Sequence, residues 1–479
     1  MSVQGHSTIP EFRQTATIAI EDIRLGSTIE GATGKFRDSR VLALANLPHV
    51  EEIRDHLKLT RAATIANLAE HLETFEKNAI AAGTHVHWAK DGEEANQIIL
   101  EIAKKHNVSL VAKSKSMATE EIKLNEALEK EAIETVETDL GEWIIQLSGE
   151  APYHIIGPAI HKTRGQVAEL FEQETGQPMD ANDIPALTEA ARQILRQKFL
   201  EAGMGISGAN IAVAETGSIV IVTNEGNARM VTSVPKVHVA VMGIEKIAPD
   251  WDTAATWLSL LARSATGQPL SIYTTILTGP ARKPDPDGPE EMHIVLVDNG
   301  RSKLVGTPYE EVLQCLRCGA CLNICPVYRV AGGHAYGSPY SGPIGAVVSP
   351  LLFGMENYEG LPHASTLCGA CKDVCPVRID LPRMLLELRS DQVEQGIVNH
   401  TDALGERAVA FVMDKPRLWK MATGIARIGQ RPFLKDDQLQ LPIDIIGKRK
   451  PPHLKQKSFR QMWQDGDVDD STTDSGLSE

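Results

Sequence analysis

The first 314 residues of this chain contain no cysteine, and all seven cysteines fall between Cys315 and Cys375. A disulfide framework distributes its cysteines over the fold that it staples, so their absence from most of the chain argues against one. An odd number of thiols, separated by gaps of two or three residues, instead favours thiolates gathered around metal.

Long apolar runs, a secretory leader and an excess of positive charge are also missing. No stretch approaches the roughly 20 apolar residues of a membrane span, and Met1 to Gln14 lacks a basic region followed by an apolar block. We therefore expect a cytoplasmic protein without a transmembrane segment. A formal net charge of −15 opposes nucleic-acid binding, which depends on Lys and Arg displacing phosphate counterions.

The remaining composition is that of an ordinary globular protein. Hydrophobic residues make up 42% of the chain and charged residues 23%, which is enough to bury a core. At 479 residues the chain exceeds the length at which one core stops growing, so two or three domains are expected.

Strands and helices alternate in the cysteine-free part. Apolar residues at helical spacing predict a long helix over residues 50–82 and another over 119–131. Runs rich in Val and Ile predict the strands, at 85–88, 110–112, 135–138, 211–214, 218–223, 237–242 and 293–297. This alternation predicts an α/β domain with a largely parallel sheet covered on both faces.

The first cysteine run has ferredoxin spacing. Cys315, Cys318, Cys321 and Cys325, followed by Pro326, reproduce the CxxCxxCxxxCP run of two-cluster ferredoxins. In those proteins the first three thiolates hold one cluster and the fourth serves the other.

A second run, Cys368, Cys371 and Cys375, repeats the last three positions, and Ser365 stands where its first cysteine would be. Reciprocal sharing gives a complete site from Cys315, Cys318, Cys321 and Cys375, and a three-thiolate site from Cys325, Cys368 and Cys371. Either Ser365, a water or a foreign ligand completes the second 4Fe-4S cluster, or that site holds a 3Fe-4S cluster. The long link between the runs favours an α-helical ferredoxin-like two-cluster domain. Structural zinc is the alternative, since four thiolates also bind zinc.

Two places in the α/β domain are candidates for binding a small anionic metabolite. Lys113 and Lys115 follow a predicted strand and precede a helix, where cations and helix amides can meet a carboxylate; solvated lysines beside an N-cap are the alternative. Glu215, Glu225 and Arg229 lie near the two ends of strand 218–223, where open α/β sheets bind ligands. An ordinary hairpin with a surface arginine is the alternative there.

The sequence resembles a known family, the lactate utilization protein B family. Three segments around the cysteines carry the resemblance: Cys315–Arg329 (CLRCGACLNICPVYR), Gly333–Ala346 (GHAYGSPYSGPIGA) and Ser365–Val377 (STLCGACKDVCPV). It extends into the α/β domain at His87–Asn96, Lys113–Met117, His161–Arg164, Ala214–Arg229, Pro235–Lys246 and Arg263–Gly267.

The resemblance implies a subunit of a three-component, flavin-independent system that oxidises L-lactate to pyruvate, with the other subunits as partners. It also implies that the α/β domain is similar to CoA transferases and ribose-phosphate isomerases. We therefore expect a lead-in at 1–49, an α/β domain at 50–302, a ferredoxin-type domain at 303–392, a C-terminal family extension at 393–465 and a disordered tail at 466–479.

The sequence is compatible with three functions. The cysteine module favours an electron carrier with two iron–sulfur clusters, since lactate oxidation releases two electrons. A dehydrogenase that itself binds a small 2-hydroxy acid is the second function, and an iron–sulfur redox sensor is the third. The acidic charge disfavours the sensor.

Overall fold

In a computed structural model, the chain is described over residues 7–397, 400–435, 438–439, 455 and 457–466. It divides into two units, Met1–Glu394 and Gln395–Glu479. Within the described ranges, no helix combines the length and the apolar character that crossing a membrane requires.

The first unit holds ten strands and seventeen α-helices among its described residues. The strands are β1 (His85–Ala89), β2 (Leu110–Lys113), β3 (Glu134–Glu137), β4 (Met204–Gly208), β5 (Ile211–Val213), β6 (Ser218–Thr223), β7 (Val237–Gly243), β8 (Ile247–Ala248), β9 (Tyr273–Leu277) and β10 (Glu291–Val297). The helices are α1 (Ile9–Glu21), α2 (Ile23–Ala45), α3 (Val50–Ala66), α4 (Leu68–Ala81), α5 (Gly92–Lys105), α6 (Met117–Glu121), α7 (Leu124–Lys130), α8 (Leu140–Ser148), α9 (Arg164–Thr175), α10 (Ile184–Glu201), α11 (Asn227–Val231), α12 (Trp251–Ala265), α13 (Ala320–Ile324), α14 (Pro326–Ala331), α15 (Gly342–Phe353), α16 (Ala370–Val374) and α17 (Leu381–Glu394).

The second unit is smaller. Its described elements are α18 (His400–Met413), α19 (Pro416–Gly429), β11 (Leu434–Lys435), β12 (Gln438–Leu439) and α20 (Phe459–Gln464). Strands β11 and β12 pair antiparallel. Most of the expected C-terminal extension falls in this unit, and the expected disordered tail lies, beyond residue 466, outside the described residues.

The predicted parallel sheet is confirmed. Six strands lie in the order β1-β10-β7-β4-β2-β3, and every neighbouring pair is parallel. Alternate residues of β2 face opposite cores: Val111 packs with α5 and α7, whereas Leu110 and Ala112 pack with α8, α9 and α10. Helices therefore cover both faces, as parallel sheets require.

The remaining four strands form a second sheet, in the order β8-β5-β6-β9. Here β5 and β6 pair antiparallel, so the residues predicted as strands at 211–214 and 218–223 belong to a hairpin rather than to the parallel sheet. Gly217, at φ +67, reverses the chain between them, and a Cβ there would lie 2.1 Å from the backbone nitrogen of Ala79.

Two predicted helices are divided. The helix predicted over 50–82 stops at Ala66 and restarts at Leu68, because Asn67 adopts φ −114 and its side chain donates to the carbonyl oxygen of Ala63. Such local side-chain bonds compete with the helical backbone. The helix predicted over 119–131 is interrupted at Lys123, which has φ +54.

One apolar core joins the α/β region to the cysteine-bearing segment. It runs from the second sheet, α3, α4 and α12 into α13, α15 and α17 without a break. The expected lead-in forms α1 and α2, and these helices contact α13 and α14. The cysteines are therefore held by elements drawn from both the α/β region and the cysteine-bearing segment.

Candidate iron–sulfur centre and adjoining cavity

The two cysteine segments fold into the same local structure, fifty positions apart. Arg317 and Leu367 both adopt the left-handed conformation, with φ +59 and φ +54. Gly319 and Gly369 follow with φ +74 and φ +87, a region that favours glycine. A short helix comes next in each segment, α13 in the first and α16 in the second.

The seven thiols gather into two groups. Every pair among Cys315, Cys318, Cys321 and Cys375 interacts electrostatically. Every pair among the other three also interacts, namely Cys325, Cys368 and Cys371. Cys321 also interacts with Cys371, so the two groups adjoin, and the division of the thiols between two clusters stays a prediction.

The donor chemistry of both groups fits a metal cluster. Burial, reinforced by neighbouring thiolates, raises the pKa of Cys318 and Cys371 to about 12, so thiolates there need a compensating cation. Backbone N–H groups already point at the sulfurs, from Ala320 to Cys318 and from Ala370 to Cys368. Such bonds stabilise negative charge on cluster sulfur.

Ser365 occupies the position that Cys315 occupies in the first segment. The amide of Arg317 donates to Cys315 Sγ at 3.4 Å, and the amide of Leu367 donates to Ser365 Oγ at 3.1 Å. The serine oxygen thus takes the place of the missing eighth sulfur in the repeated turn.

Basic side chains from α2 and α3 hold the second cysteine segment in place. Arg40 donates to the carbonyl oxygen of Val374 at 2.6 Å. Arg54 donates to the carbonyl oxygens of Asp373 at 2.6 Å and Cys375 at 2.8 Å. These arginines fix the backbone and bring positive charge close to the thiols.

The five candidate metabolite-binding residues do not all come together. Lys113 is fully buried and pairs with Glu120 at 2.8 Å and Glu137 at 2.6 Å. Burial would lower the pKa of Lys113, but the two carboxylates outweigh it and raise that pKa. Glu215 is exposed in the β5–β6 turn, and Arg229 is exposed on α11.

Lys115 and Glu225 do share a cavity, of about 380 Å³. It lies beyond the carboxyl ends of β2, β4 and β7, the edge at which open α/β sheets bind ligands. Leu316 and Arg317 of the first cysteine segment line it as well. The cavity therefore lies between the parallel sheet and the first thiol group.

Sequence reasoning missed four charged residues of this cavity and one tyrosine: Glu245, Lys246, Arg301, Arg317 and Tyr340. Their positions are far apart in the chain, and only the Glu245-Lys246 pair after an apolar strand gave a local signal. Burial alone would raise the pKa of Glu245, but Arg301, Lys246 and Arg317 outweigh it and lower that pKa to about 2.

Arg301 anchors this network. Its Nε donates to Glu245 Oε2 at 2.7 Å, and its two Nη atoms donate to the carboxylate of Glu121 at 2.8 and 2.6 Å. Tyr340 donates its hydroxyl to the same Glu121 carboxylate. Because all of these groups are buried, removing one partner would leave an uncompensated charge.

The α/β region and the cysteine-bearing segment each match a known domain family. Residues 72–297 match the LUD domain family, and residues 311–379 match the 4Fe-4S dicluster domain family. The second match supports bound iron–sulfur clusters.

Curated relatives match over nearly the whole chain, and all of those compared are called lactate utilization protein B. The protein of Bacillus velezensis is 43% identical, covering 89% of this chain and 90% of its own length. The Bacillus subtilis protein is 44% identical and the Macrococcus caseolyticus protein 45% identical, each with the same two coverages. A solved structure of a DUF162 family protein from Deinococcus radiodurans covers 48% of this chain and 98% of its own, at 12% identity and a TM-score of 0.27, too low to carry an argument.

Proposed function

This chain belongs to the lactate utilization protein B family, and from that premise we propose that it is the iron–sulfur electron-transfer subunit of a cytoplasmic multi-subunit system that oxidises L-lactate to pyruvate. The observation that carries the proposal is the packing of the two cysteine segments against each other: α13 contacts α16, and six of the seven cysteines lie in or against one apolar core.

The first cluster is assigned to Cys315, Cys318, Cys321 and Cys375, and the second to Cys325, Cys368 and Cys371. We assign 4Fe-4S clusters to both sites, because four donors are available at each when the oxygen of Ser365 is counted. A cluster bound at either site would accept or release one electron. The protein groups orient the thiolates, supply N–H donors and keep water from the buried side.

The two sites differ in exposure, which suits a relay. Each site has two buried thiols, Cys318 and Cys375 in the first and Cys325 and Cys371 in the second, but the second site also has an exposed thiol, Cys368. The first site faces the cavity through Arg317, and the second reaches the surface through Cys368. Electrons entering near the cavity would leave to a partner subunit at the exposed face.

The α/β region at 50–302 is assigned a CoA-transferase-like or ribose-phosphate-isomerase-like fold, and residues 303–392 a helical ferredoxin-type domain. Residues 393–465 form the family extension in this scheme.

A second candidate function has one observation in its favour. The cavity beside the first cysteine segment is large enough for a small metabolite, so this chain itself would be the lactate-oxidising subunit. Under that alternative the isolated chain is reduced by lactate without partners.

The ligand assignment is tested on anaerobically purified protein, with iron, sulfide and zinc quantitation and electron paramagnetic resonance. Cys375→Ala should remove the signal of the first cluster and spare the second, whereas Cys371→Ala should do the reverse. Cys→Ala changes that leave iron content unaltered would contradict the assignment, and zinc without sulfide would contradict the cluster proposal itself.

A further inference from the structure

The cavity beside the first cysteine segment contains a cation that lacks a close partner. Arg317 Nη1 is buried with no hydrogen-bond partner among the described residues, and its guanidinium carbon lies 4.3 Å from the Tyr340 ring centroid. Its nearest carboxylate, Glu245 Oε1, is 3.8 Å from Nη2. A buried guanidinium beside an aromatic ring, with one donor nitrogen free, is suited to receive a carboxylate.

The surrounding charges leave this arginine available. Glu245 gives its other oxygen to Arg301, and Arg301 is held by Glu121 as well. Lys246 donates to the carbonyl oxygen of Cys315 at 2.9 Å. The Cys315 thiol and Arg61 also belong to this charged group, and Arg317 Nη1 is a buried donor of the cavity lining without a hydrogen-bond partner among the described residues.

The rest of the lining suits an anion that also carries a hydroxyl or carbonyl group. Lys115 reaches the cavity from the end of β2, with its Nζ donating to the carbonyl oxygen of Ile156 at 2.6 Å. Asp139 and Glu225 line the cavity from the ends of β3 and β6. Carboxyl groups can accept a hydrogen bond from a substrate hydroxyl.

We infer that this cavity binds a small 2-hydroxy or 2-oxo carboxylate, with Arg317 receiving the carboxylate group and Lys115 adding a second cationic donor. The inference rests on the proposed function and deepens it, because Arg317 lies between two ligands assigned to the first cluster, Cys315 and Cys318. The bound acid would thus contact the protein loop that holds that cluster. The volume of about 380 Å³ leaves room for such an acid and ordered water, and is at the small end of ligand sites.

The test is calorimetric titration of the anaerobic holoprotein with L-lactate, pyruvate, neutral lactamide and sulfate. Saturable binding of L-lactate or pyruvate is expected, with no binding of lactamide or sulfate. Arg317→Met should weaken that binding by about tenfold or more, the loss expected for a charge-assisted hydrogen bond. Lys115→Met should weaken carboxylate binding too. Because Lys115 is distant in sequence from the cysteines, this variant tests the cavity even if Arg317→Met loses iron. Arg196→Met, an exposed change on α10, should bind as the wild type does.

Three results would overturn the inference: no carboxylate binding by wild-type protein that has its full iron and sulfide, unchanged binding in both cavity variants, or sulfate binding as tight as that of lactate. Unchanged binding with a shifted cluster potential in Arg317→Met would mean that the arginine serves the cluster alone. Iron and sulfide analysis of the same samples separates the two proposals, since zinc without sulfide overturns the carrier proposal independently of the titration.

Discussion

Arg61 of α3 should contribute strongly to holding the α/β region and the first cysteine segment together. It is fully buried and donates to the carbonyl oxygens of Ile247 at 2.6 Å, Glu245 at 2.7 Å and Leu313 at 3.0 Å. Its guanidinium carbon lies 4.3 Å from the Trp257 ring centroid. Burial lowers the pKa of Arg61 to about 10, so it remains protonated at neutral pH.

Arg61→Met keeps most of the apolar stem and removes all three bonds. Hydrogen bonds from a charged group contribute about 1.5–3 kcal/mol each. The variant also removes the cost of burying the charge, which offsets part of that loss. We therefore expect the free energy of unfolding to fall by about 4 kcal/mol, within the range for broken buried ionic networks. An unfolding entropy of about 2.1 cal/mol/K per residue gives about 0.8 kcal/mol/K for a unit of this size, Met1–Glu394. The expected fall in Tm is therefore about 5 °C.

The assay is anaerobic thermal unfolding of the holoprotein, followed by circular dichroism. Arg196→Met on the exposed face of α10 is the matched control and should change the free energy of unfolding by less than about 0.5 kcal/mol. If Arg61→Met unfolds at the temperature of that control, the three bonds do not hold the segments together and the reasoning is wrong.

Three further predictions concern a carboxyl group, a glycine and the serine. Burial raises the pKa of Glu225 to about 7. Between pH 4.5 and 7 the folded state therefore binds more protons than the unfolded state. The free energy of unfolding consequently falls as pH rises through that window. Glu225→Gln should flatten the fall in Tm over the same window, and equal slopes in the two proteins would contradict the assignment. Gly205→Ala would place a Cβ 2.0 Å from the carbonyl oxygen of Val231 and should lower the free energy of unfolding by about 1–3 kcal/mol. Gly226→Ala is the control, because a Cβ there has nothing within 4 Å. Equal Tm values for the two variants would refute the prediction. Ser365→Cys should alter the paramagnetic spectrum of the second cluster at constant iron content, and an unchanged spectrum would place the serine outside the ligand set.

The cysteine module was predictable from sequence because its ligands are local. The spacing within each run is a local signal, the turn that carries Gly319 recurs at Gly369, and reciprocal sharing gives each proposed site one ligand from the other run. The parallel sheet was predictable as well, since strands buried on both faces have continuous apolar runs. A hairpin is only the alternative interpretation of this segment, because apolar residues alone do not reveal that β5 and β6 pair antiparallel.

The cavity was only partly predictable, since its residues meet through tertiary packing. Lys113 and Lys115 look equivalent in the sequence, yet Lys113 pairs with Glu137 and only Lys115 reaches the cavity. Arg317 looked like a spacer between two cysteines. The role proposed for it rests on its contacts with Tyr340 and Glu245, which no spacing rule connects to it.

The most direct test of the account is reduction of the anaerobic holoprotein by L-lactate, read by electron paramagnetic resonance with and without the partner subunits. The electron-transfer proposal predicts near eight irons per chain and cluster signals that appear with lactate only when the partners are present. Reduction by lactate alone would move catalysis into this chain, and clusters that stay oxidised with all partners present would contradict the electron-transfer role.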